Sequence, residues 1–216
     1  MYLSRAILRP DAVSREEVFR LLKGEYGIHA MIWELFADSP NRFRDFLYRF
    51  ETDGGLPRIY TVSERAPAVD TDIWNIDTKI YDPNLTEQQK LRFSLRANPV
   101  ITRRGDSNKH QRHDVVMDYK MQRRKMVTNA EAVQEAGSAW ISSKGERLGF
   151  SVESVIAGGY RRRTFQKTNG SEVTIATLDF DGVLTVSDPE ILKQSLYSGI
   201  GHAKGFGCGM MLVKPL

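Results

Sequence analysis

The sequence predicts an α+β protein made of two tandem ferredoxin-like (RRM-like) domains, each with the element order βαββαβ. Each half of the chain indicates the order strand, helix, strand, strand, helix, strand. The dipeptide Asn98-Pro99 ends the last strand pattern of the first half, because an Asn-Pro pair favours a turn. The chain has 216 residues, about 1.4 times the usual domain length, so two small domains fit. We therefore expect domains at residues 1–97 and 98–216.

Hydrophobic spacing indicates the first three elements. Residues 2–9 alternate modestly and predict a strand. Ser14 with Glu17 forms a capping box that opens a helix ending at Gly24. A second helical pattern then continues to Pro40, with one apolar face formed by Ile28, Met31, Ile32, Leu35 and Phe36.

The rest of the first half reads mainly as strands. Segments 43–51 and 58–64 predict a strand pair, because the Asp-Gly-Gly sequence at 53–55 supplies a turn. Residues 69–80 show weak helical character. In segment 90–97 apolar residues alternate strictly with polar ones, which is typical of a half-buried strand.

The second half repeats the order without repeating the sequence. Its helix near residue 189 is the best marked element, because Asp188 suits the N-cap and Pro189 the first helical position. Gly199 suits the end of that helix. The elements expected in order are a strand start at 100–104, a polar basic loop at 101–114, a helix at 115–137 ending at Gly137, strands near 147–157 and 172–186 joined by a basic hairpin tip around 161–170, the helix from 189, and a strand at 210–213.

Composition excludes several classes of protein. Hydrophobic residues make up 41% and charged residues 27%, as in globular domains rather than disordered chains. No apolar run reaches the ~20 residues of a membrane span. The first five residues are not followed by the apolar core of a signal peptide, so we expect a cytoplasmic protein without a membrane partner. Cys208 is the single cysteine, which excludes an intrachain disulfide and a cysteine zinc site.

Positive charge is concentrated in three segments. Residues 92–125 carry ten Lys and Arg against three Asp, a net of +7, while 156–168 carry +4 and 199–216 carry +2. The chain as a whole carries +4, so the remainder carries −9. Such segregation is typical of a track for a polyanion, most often a nucleic acid. Solvated loops are the alternative that charge alone leaves open.

The segment 199–209 contains five glycines in eleven residues. This density lets backbone N–H groups approach an anion, and Lys204 adds a positive charge. Gly201 and Gly205 flank that part of the segment. The G-x-x-x-x-G-K-[ST] order of a phosphate-binding loop is absent. A tight helix-to-strand connection without a ligand is the alternative.

His110 and His113 are the candidate metal ligands among the histidines, and His29 is the candidate catalyst. His110 and His113 lie in a basic loop that repels divalent ions, so the sequence predicts no metal site and no cofactor. His29 follows Tyr26 by three residues at the start of a predicted helix, where an imidazole can titrate near neutral pH and a phosphate can bind. A surface or capping histidine is the alternative.

These parts suit RNA cleavage without a metal. The neighbouring ribose 2′-OH is the nucleophile, so proximity supplies much of the acceleration. The protein then needs a base, an acid and cations around the phosphorane. His29 and Tyr26 suit the proton transfers, and Lys204 or nearby arginines suit the charge.

Five stretches resemble a known family. They are MYLSR at 1–5, YGIH at 26–29, LRFSLRANP at 91–99, FDGVLTV at 180–186 and GIGHAKGFGCGMML at 199–212. The chain resembles the CasE family, the repeat-RNA endoribonucleases of the type I-E CRISPR system. The resemblance implies tandem ferredoxin-like domains and metal-independent cleavage of CRISPR precursor RNA at the base of each repeat hairpin, leaving 2′,3′-cyclic phosphate (or 3′-phosphate) and 5′-OH ends. It also implies that the protein stays on the mature crRNA among the other subunits of Cascade.

The same resemblance implies roles for individual residues. His29 is the expected general acid/base and Tyr26 its helper. Arg161 and Arg162, with the adjacent Arg163, belong to a basic hairpin expected to grip the RNA stem. The glycine-rich segment, with Gly201, Lys204 and Gly205, is expected near the RNA backbone.

Some assignments stay open at this point. His202 is a second imidazole near the expected RNA, and the roles of base and acid are not divided between Tyr26 and His29. A subunit that binds the crRNA hairpin without cutting, and a phosphate-ligand enzyme using the glycine-rich segment, are alternatives. Charge alone makes candidate RNA contacts of Arg103, Arg104, Lys109 and Arg112.

Overall fold

The structure is a computed structural model that describes residues 1–13, 31–36, 44–53, 56–68, 72–104, 110–123, 126–166 and 172–216. The chain divides into two compact units. The first unit is Met1–Pro83 with Lys204–Gly207, and the second is Asn84–Ala203 with Cys208–Leu216. Among the described residues, no helix is both long and apolar enough to cross a membrane.

The first unit is built on a four-stranded antiparallel sheet. In space the strands lie in the order β2-β3-β1-β4, the arrangement of a ferredoxin-like domain. A short helix, Pro10–Val13, follows the first strand, and residues 31–34 are helical. The strands are β1 (Tyr2–Leu8), β2 (Phe46–Asp53), β3 (Leu56–Ser63) and β4 (Trp74–Ile80).

The core of the first unit lies between this sheet and its helical segments. Phe36 stacks on Phe46 with ring centroids 4.5 Å apart, and Trp33 meets Phe46 edge to face at 5.2 Å. The apolar stripe predicted for the second helix is therefore confirmed from Met31 onwards. The buried cluster consists of Ala6, Leu8, Ala12, Met31, Ile32, Leu35, Phe36, Phe46, Tyr48, Ile59 and Trp74.

The second unit repeats the ferredoxin-like order and contains an insertion. Its main sheet has the order β10-β5-β9-β8, and all neighbours are antiparallel. The helices Asn129–Gly145 and Pro189–Ser198 belong to this unit, and so does an inserted hairpin, β6–β7, followed by the helix Val115–Gln122. The strands are β5 (Lys90–Ala97), β6 (Val100–Arg104), β7 (His110–Asp114), β8 (Phe150–Gln166), β9 (Glu172–Val186) and β10 (Met211–Pro215).

The long helix Asn129–Gly145 packs closely on β8 and β9. A Cβ on Gly137 would lie 2.6 Å from the Cβ of Ala157, so the helix approaches the sheet only because that side chain is missing. Three residues further along the helix, Trp140 stacks on Phe180 with centroids 5.7 Å apart. Gly137 therefore lies inside the helix, and the prediction that it ends the helix is wrong.

Several predicted elements are confirmed. The first strand, the pairing of β2 with β3, and the alternation in β5 all agree with the structure. The Asp188 carboxylate accepts a hydrogen bond from the Ile191 N–H at 3.0 Å, and Gly199, at φ 77°, ends that helix as predicted. The main sheets of both units have the ferredoxin-like strand order. The predicted capping box at Ser14 and Glu17, with the helix ends at Gly24 and Pro40 and the turn at 54–55, lies outside the described residues.

The division between the units differs from the predicted one. Residues 74–80, expected to be weakly helical, form β4, an edge strand with four exposed residues at its end. The segment alternates Trp74, Ile76 and Ile80 with polar residues, which is the period-two pattern of a strand, so the expectation of helical character is wrong. β4 therefore completes the first sheet, and β5, predicted to close the first domain, lies between β10 and β9 in the second unit. The units separate at Pro83 rather than after Ala97.

Three further predictions in the second half are wrong. The described parts of segment 101–114 are strands rather than loop, because β6 and β7 pair over five positions. The helix predicted at 115–137 is two helices, since Thr128 caps a new one through its hydroxyl and the Glu131 N–H. In addition, the arginines at 161–163 lie within β8 rather than at a hairpin tip.

Close packing within the β8–β9 pair generates a stability prediction. A Cβ on Gly182 would lie 2.1 Å from the Ser154 carbonyl oxygen, whereas a Cβ on Gly158 meets nothing within 4 Å. We expect Gly182→Ala to lower the free energy of unfolding by about 1–3 kcal/mol, as overpacking does. Gly158→Ala is the matched control and should change it by less than ~0.5 kcal/mol. Urea denaturation of both variants measures the difference, and equal stabilities would contradict this packing.

Candidate functional site

The structure describes most of the residues singled out by the sequence, but not all. Tyr26, His29 and Lys109 lie outside the described residues. The remaining candidates fall on β8, on the β6–β7 hairpin and in the glycine-rich segment.

Three consecutive arginines lie on β8 just after a β-bulge. Arg161 is paired with Thr177, whereas Gly158 is paired with Asp179, so β8 has two residues opposite one of β9 at this point. Gly159 forms the bulge at φ 59°, and a Cβ there would lie 2.7 Å from the Asp179 Oδ2. A bulge changes the direction in which the following side chains point. All three side chains, those of Arg161, Arg162 and Arg163, are exposed.

Asp114 joins the hairpin to the strand that carries the arginines. Its Oδ1 accepts hydrogen bonds from the Val116 N–H at 2.9 Å and the Met117 N–H at 3.5 Å, and so caps the following helix. Its Oδ2 accepts a hydrogen bond of 2.5 Å from the Tyr160 hydroxyl and lies 3.9 Å from the Arg162 Nε. Burial, together with Asp114, raises the pKa of Tyr160 well above its usual value, so Tyr160 stays a proton donor. One carboxylate thus links β7, a helix and β8.

The arginines on the two faces of the β6–β7 hairpin differ in whether they form an ion pair within the described part of the chain. Opposite residues in an antiparallel pair share a face, so Arg104 lies on the face of Arg112, and Arg103 lies on the other. Arg103 donates two hydrogen bonds of 2.6 Å to Asp118. Arg104 and Arg112 are exposed, and neither makes an ion pair within the described part of the chain.

The bond between Arg103 and Asp118 neutralises one of the predicted RNA contacts. Gln122 also donates to the Asp118 carboxylate, at 2.6 Å. The hydrogen bond from Arg103 lowers the pKa of Asp118 and raises the pKa of Arg103 itself. Arg103 therefore stabilises the contact between the hairpin and the helix that follows it. The charges of Arg104 and Arg112 remain exposed for a ligand.

Several residues of the glycine-rich segment make packing contacts and backbone hydrogen bonds inside the protein. Gly201, at φ 82°, lies against Trp140, and a Cβ there would be 3.4 Å from the Trp140 ring. The N–H groups of Ile200 and Gly209 donate to the carbonyls of Gly209 and Arg96, at 2.8 and 2.7 Å. Because these N–H groups are used inside the protein, they are not available to an anion. His202, in the same segment, is exposed and forms a backbone bridge with Asn98.

The part of this segment that belongs to the first unit lies against β2. The Tyr48 hydroxyl donates a 2.9 Å hydrogen bond to the Gly205 carbonyl, across 157 residues of sequence. Gly207, at φ 73°, lies over the Tyr48 ring, where a Cβ would be 3.1 Å from Cε2. A Cβ on Gly205 would lie 3.0 Å from the Arg44 Nη1. Tyr48 thus fixes the turn that carries Lys204.

Comparison with known proteins gives the family. A sequence model described as CRISPR associated protein matches residues 1–215. The chain belongs to this family. The Cascade subunit CasE of Escherichia coli (strain K12) is 32% identical over the full length of both chains, which places the protein in the CasE family. The CRISPR-associated endoribonuclease Cse3 of Thermus thermophilus is 25% identical, also over the full length of both.

Solved structures agree with the fold of this CasE-family chain. The endoribonuclease Cse3 bound to a 19 nt RNA superposes with a TM-score of 0.74 at 24% identity, covering all of both chains. Cas6e from Escherichia coli K-12 superposes with a TM-score of 0.67 at 28% identity, again covering all of both chains. The tandem ferredoxin-like fold predicted from the sequence is therefore confirmed.

The CasE-family chain has one candidate residue that the sequence analysis missed. Arg44 precedes β2 and is half-buried beside Gly205. In the sequence it lies far from every basic segment identified by charge. Burial lowers the pKa of Arg44, and burial together with the nearby Arg44 lowers the pKa of Lys204. No sequence signal connects positions so far apart. In the described part of the chain, no cluster of three or more His, Cys, Asp or Glu side chains suits a metal ion.

The Asp118 carboxylate predicts an acid-dependent contribution to stability. Its pKa is lowered in the folded state, so the stabilisation is complete above the ordinary carboxylate pKa of about 3.9 and is lost as pH falls through the lower folded value. We expect Asp118→Asn and Arg103→Gln to show a weaker loss of stability below about pH 4. Denaturation at stepped pH measures this.

The control for that experiment is Arg112→Gln, which removes the same charge from the other face of the hairpin. Its dependence on acid should match that of the unmodified protein. If Asp118→Asn loses stability with acid as steeply as the unmodified protein, the bond between Arg103 and Asp118 does not form in solution.

Proposed function

We propose that this chain is the endoribonuclease that cuts CRISPR precursor RNA within each repeat and keeps the mature crRNA as a subunit of Cascade. The observation that carries the proposal is the full-length relationship to CasE and to the endoribonuclease Cse3. The exposed arginines on β8, joined through Asp114 to a hairpin with further free cations, supply a surface for the RNA. A protein that processes RNA transcripts in a prokaryotic cell works in the cytoplasm, which we propose as its location.

The chemistry we propose is attack by the ribose 2′-OH on the adjacent phosphorus. The 2′-oxygen forms a bond to phosphorus, the bond from phosphorus to O5′ breaks, and a 2′,3′-cyclic phosphate and a 5′-OH result. His29 and Tyr26 divide the two proton transfers, one removing the 2′-OH proton and the other protonating O5′. Because the nucleophile belongs to the substrate, no metal or other cofactor is required. Nearby cations stabilise the charge of the phosphorane.

The proposed grip on the RNA stem depends on the second unit. An A-form stem is recognised by its shape and its phosphates rather than by base edges in its narrow major groove. Exposed arginines on a strand suit this, because a guanidinium binds two phosphate oxygens at once. We assign this role to Arg161, Arg162, Arg163, Arg104, Arg112 and Lys109, and a smaller share to Arg103 because Asp118 already binds it. The partners are the repeat stem-loop, the mature crRNA and the other Cascade subunits.

The test of the mechanism is a cleavage assay on the host's own repeat RNA in excess EDTA. The unmodified protein should cut once per repeat. His29→Ala should still bind the hairpin but lose cleavage by about 10²–10⁴-fold, the usual contribution of a general acid or base. His202→Ala is the matched control and should cut normally.

Each other outcome has a defined meaning. Cleavage that needs added magnesium contradicts the mechanism. Loss of cutting in His202→Ala, with normal cutting in His29→Ala, transfers the imidazole role to His202. Tight binding of the repeat hairpin without any cut identifies a binding subunit rather than an enzyme.

The test of the RNA surface is the salt dependence of hairpin binding. Replacing both Arg161 and Arg162 by Ala should weaken binding and lower the slope of log K against log salt by about one unit for each lost phosphate contact. Arg147→Ala is the control, because it removes one exposed charge outside β8 and the β6–β7 hairpin, and its slope should change little. An unchanged slope in the double variant would show that β8 does not contact the RNA.

A further inference from the structure

Arg44 lies at a point where two cations approach each other in the first unit. Its guanidinium is half-buried against Gly205, with Nη1 3.0 Å from the position that a Cβ would take. Lys204 is the neighbouring residue of that turn, and its side chain is also half-buried. The turn is held by the Tyr48 hydroxyl, which binds the Gly205 carbonyl at 2.9 Å. Arg44 and Lys204 are therefore set beside each other by a fixed piece of backbone.

No carboxylate balances Arg44 within the described part of the chain. The nearest acid in sequence, Asp45, is bound to Arg65 at 2.8 Å, and Arg65 in turn donates to the Phe36 carbonyl. Burial is the main reason why the pKa values of Arg44 and Lys204 are both lowered, and Arg44 also lowers that of Lys204. Two cations held together and partly removed from water destabilise the charged form of each. An anion beside Arg44 would reduce that cost.

The geometry suits a phosphate. Arginine offers a planar fork of donors that matches two phosphate oxygens, and lysine adds a compact point charge. Gly205 has no side chain, so the Arg44 guanidinium can lie directly against the turn that carries Lys204. Conversely, the N–H groups of Ile200 and Gly209 are used inside the protein, so in this segment side chains rather than those amides must bind the anion.

We propose that Arg44 and Lys204 together bind a single backbone phosphate of the RNA, with Tyr48 as the positioning residue for the turn. This inference rests on the proposed function, because it names a further RNA-binding residue for the same substrate. The two cations then neutralise one negative charge between them rather than two.

The test is hairpin binding by Arg44→Gln, Lys204→Ala and the double variant over a series of salt concentrations. We expect Arg44→Gln to weaken binding by on the order of ten-fold, as the loss of a charge-assisted hydrogen bond does. Because both side chains share one phosphate, the double variant should lower the salt slope by about one unit, not two. Arg44→Lys should recover only part of the affinity, because lysine keeps the charge but lacks the planar fork of donors.

Controls separate this contact from net charge and from folding. Arg147→Ala removes a charge beside another lysine, Lys144, and should leave binding near that of the unmodified protein. Arg44→Gln should keep the thermal unfolding midpoint of the unmodified protein. An equal loss in Arg147→Ala would show that only net charge matters.

The outcomes distinguish this inference from the proposed function. If the unmodified protein binds and cuts repeat RNA while Arg44→Gln binds equally well, the inference fails and the function stands. If the double variant lowers the slope by two units, the cations bind separate phosphates and the shared site is wrong. If the unmodified protein neither binds nor cuts repeat RNA, the proposed function fails first, and Arg44 with it.

Discussion

The Asp114 carboxylate is the interaction on which the arrangement of the second unit's charged surface depends. One oxygen caps the helix Val115–Gln122, and the other binds the Tyr160 hydroxyl and lies near Arg162. Without this carboxylate, the start of the helix and the Tyr160 hydroxyl would each lose a hydrogen bond. The arginine-bearing strand β8 would also lose this contact with the hairpin. A short polar side chain thus holds Tyr160, and lies beside Arg162, at the junction of the hairpin with β8.

A second constraint is the distribution of acids among the basic residues. The basic segment 92–125 is partly neutralised by acids, one of them far away in sequence. Arg96 makes bonds of 2.6 and 2.9 Å with Asp179, which is 83 residues away, and Arg103 is bound by Asp118. These ion pairs leave a smaller set of cations exposed, and that set lies on particular faces of β6, β7 and β8. The net charge of the segment already counts Asp118, so Asp179 is the acid that lowers its free charge further, and the surface remains basic at the exposed arginines.

The sequence predicted those elements whose signals are local. The alternation of β5, the Asp188-Pro189 helix start and the Gly199 helix end each depend on a few neighbouring residues, and each agrees with the structure. The errors concern elements whose stability comes from distant partners. β4 alternates like a strand, but its partner β1 is distant in sequence. Gly137 resembles a helix end, although its missing side chain is what lets the helix contact β8 and β9. The predicted roles of Tyr26 and His29 came from resemblance and position, and they stay predictions.

The sequence by itself determined the fold class, the family and the concentration of positive charge, because element order, motifs and composition depend on residues that are close together in the sequence. Only the tertiary structure decided which strand belongs to which sheet, since β5 could close either domain until its pairing with β9 and β10 was known. It also decided which arginines are neutralised, because Arg103 finds its carboxylate only when the hairpin meets the helix that follows it. Only the tertiary structure showed that Arg44 belongs to the candidate site, because its neighbour Gly205 is distant in sequence and folding brings the two into contact.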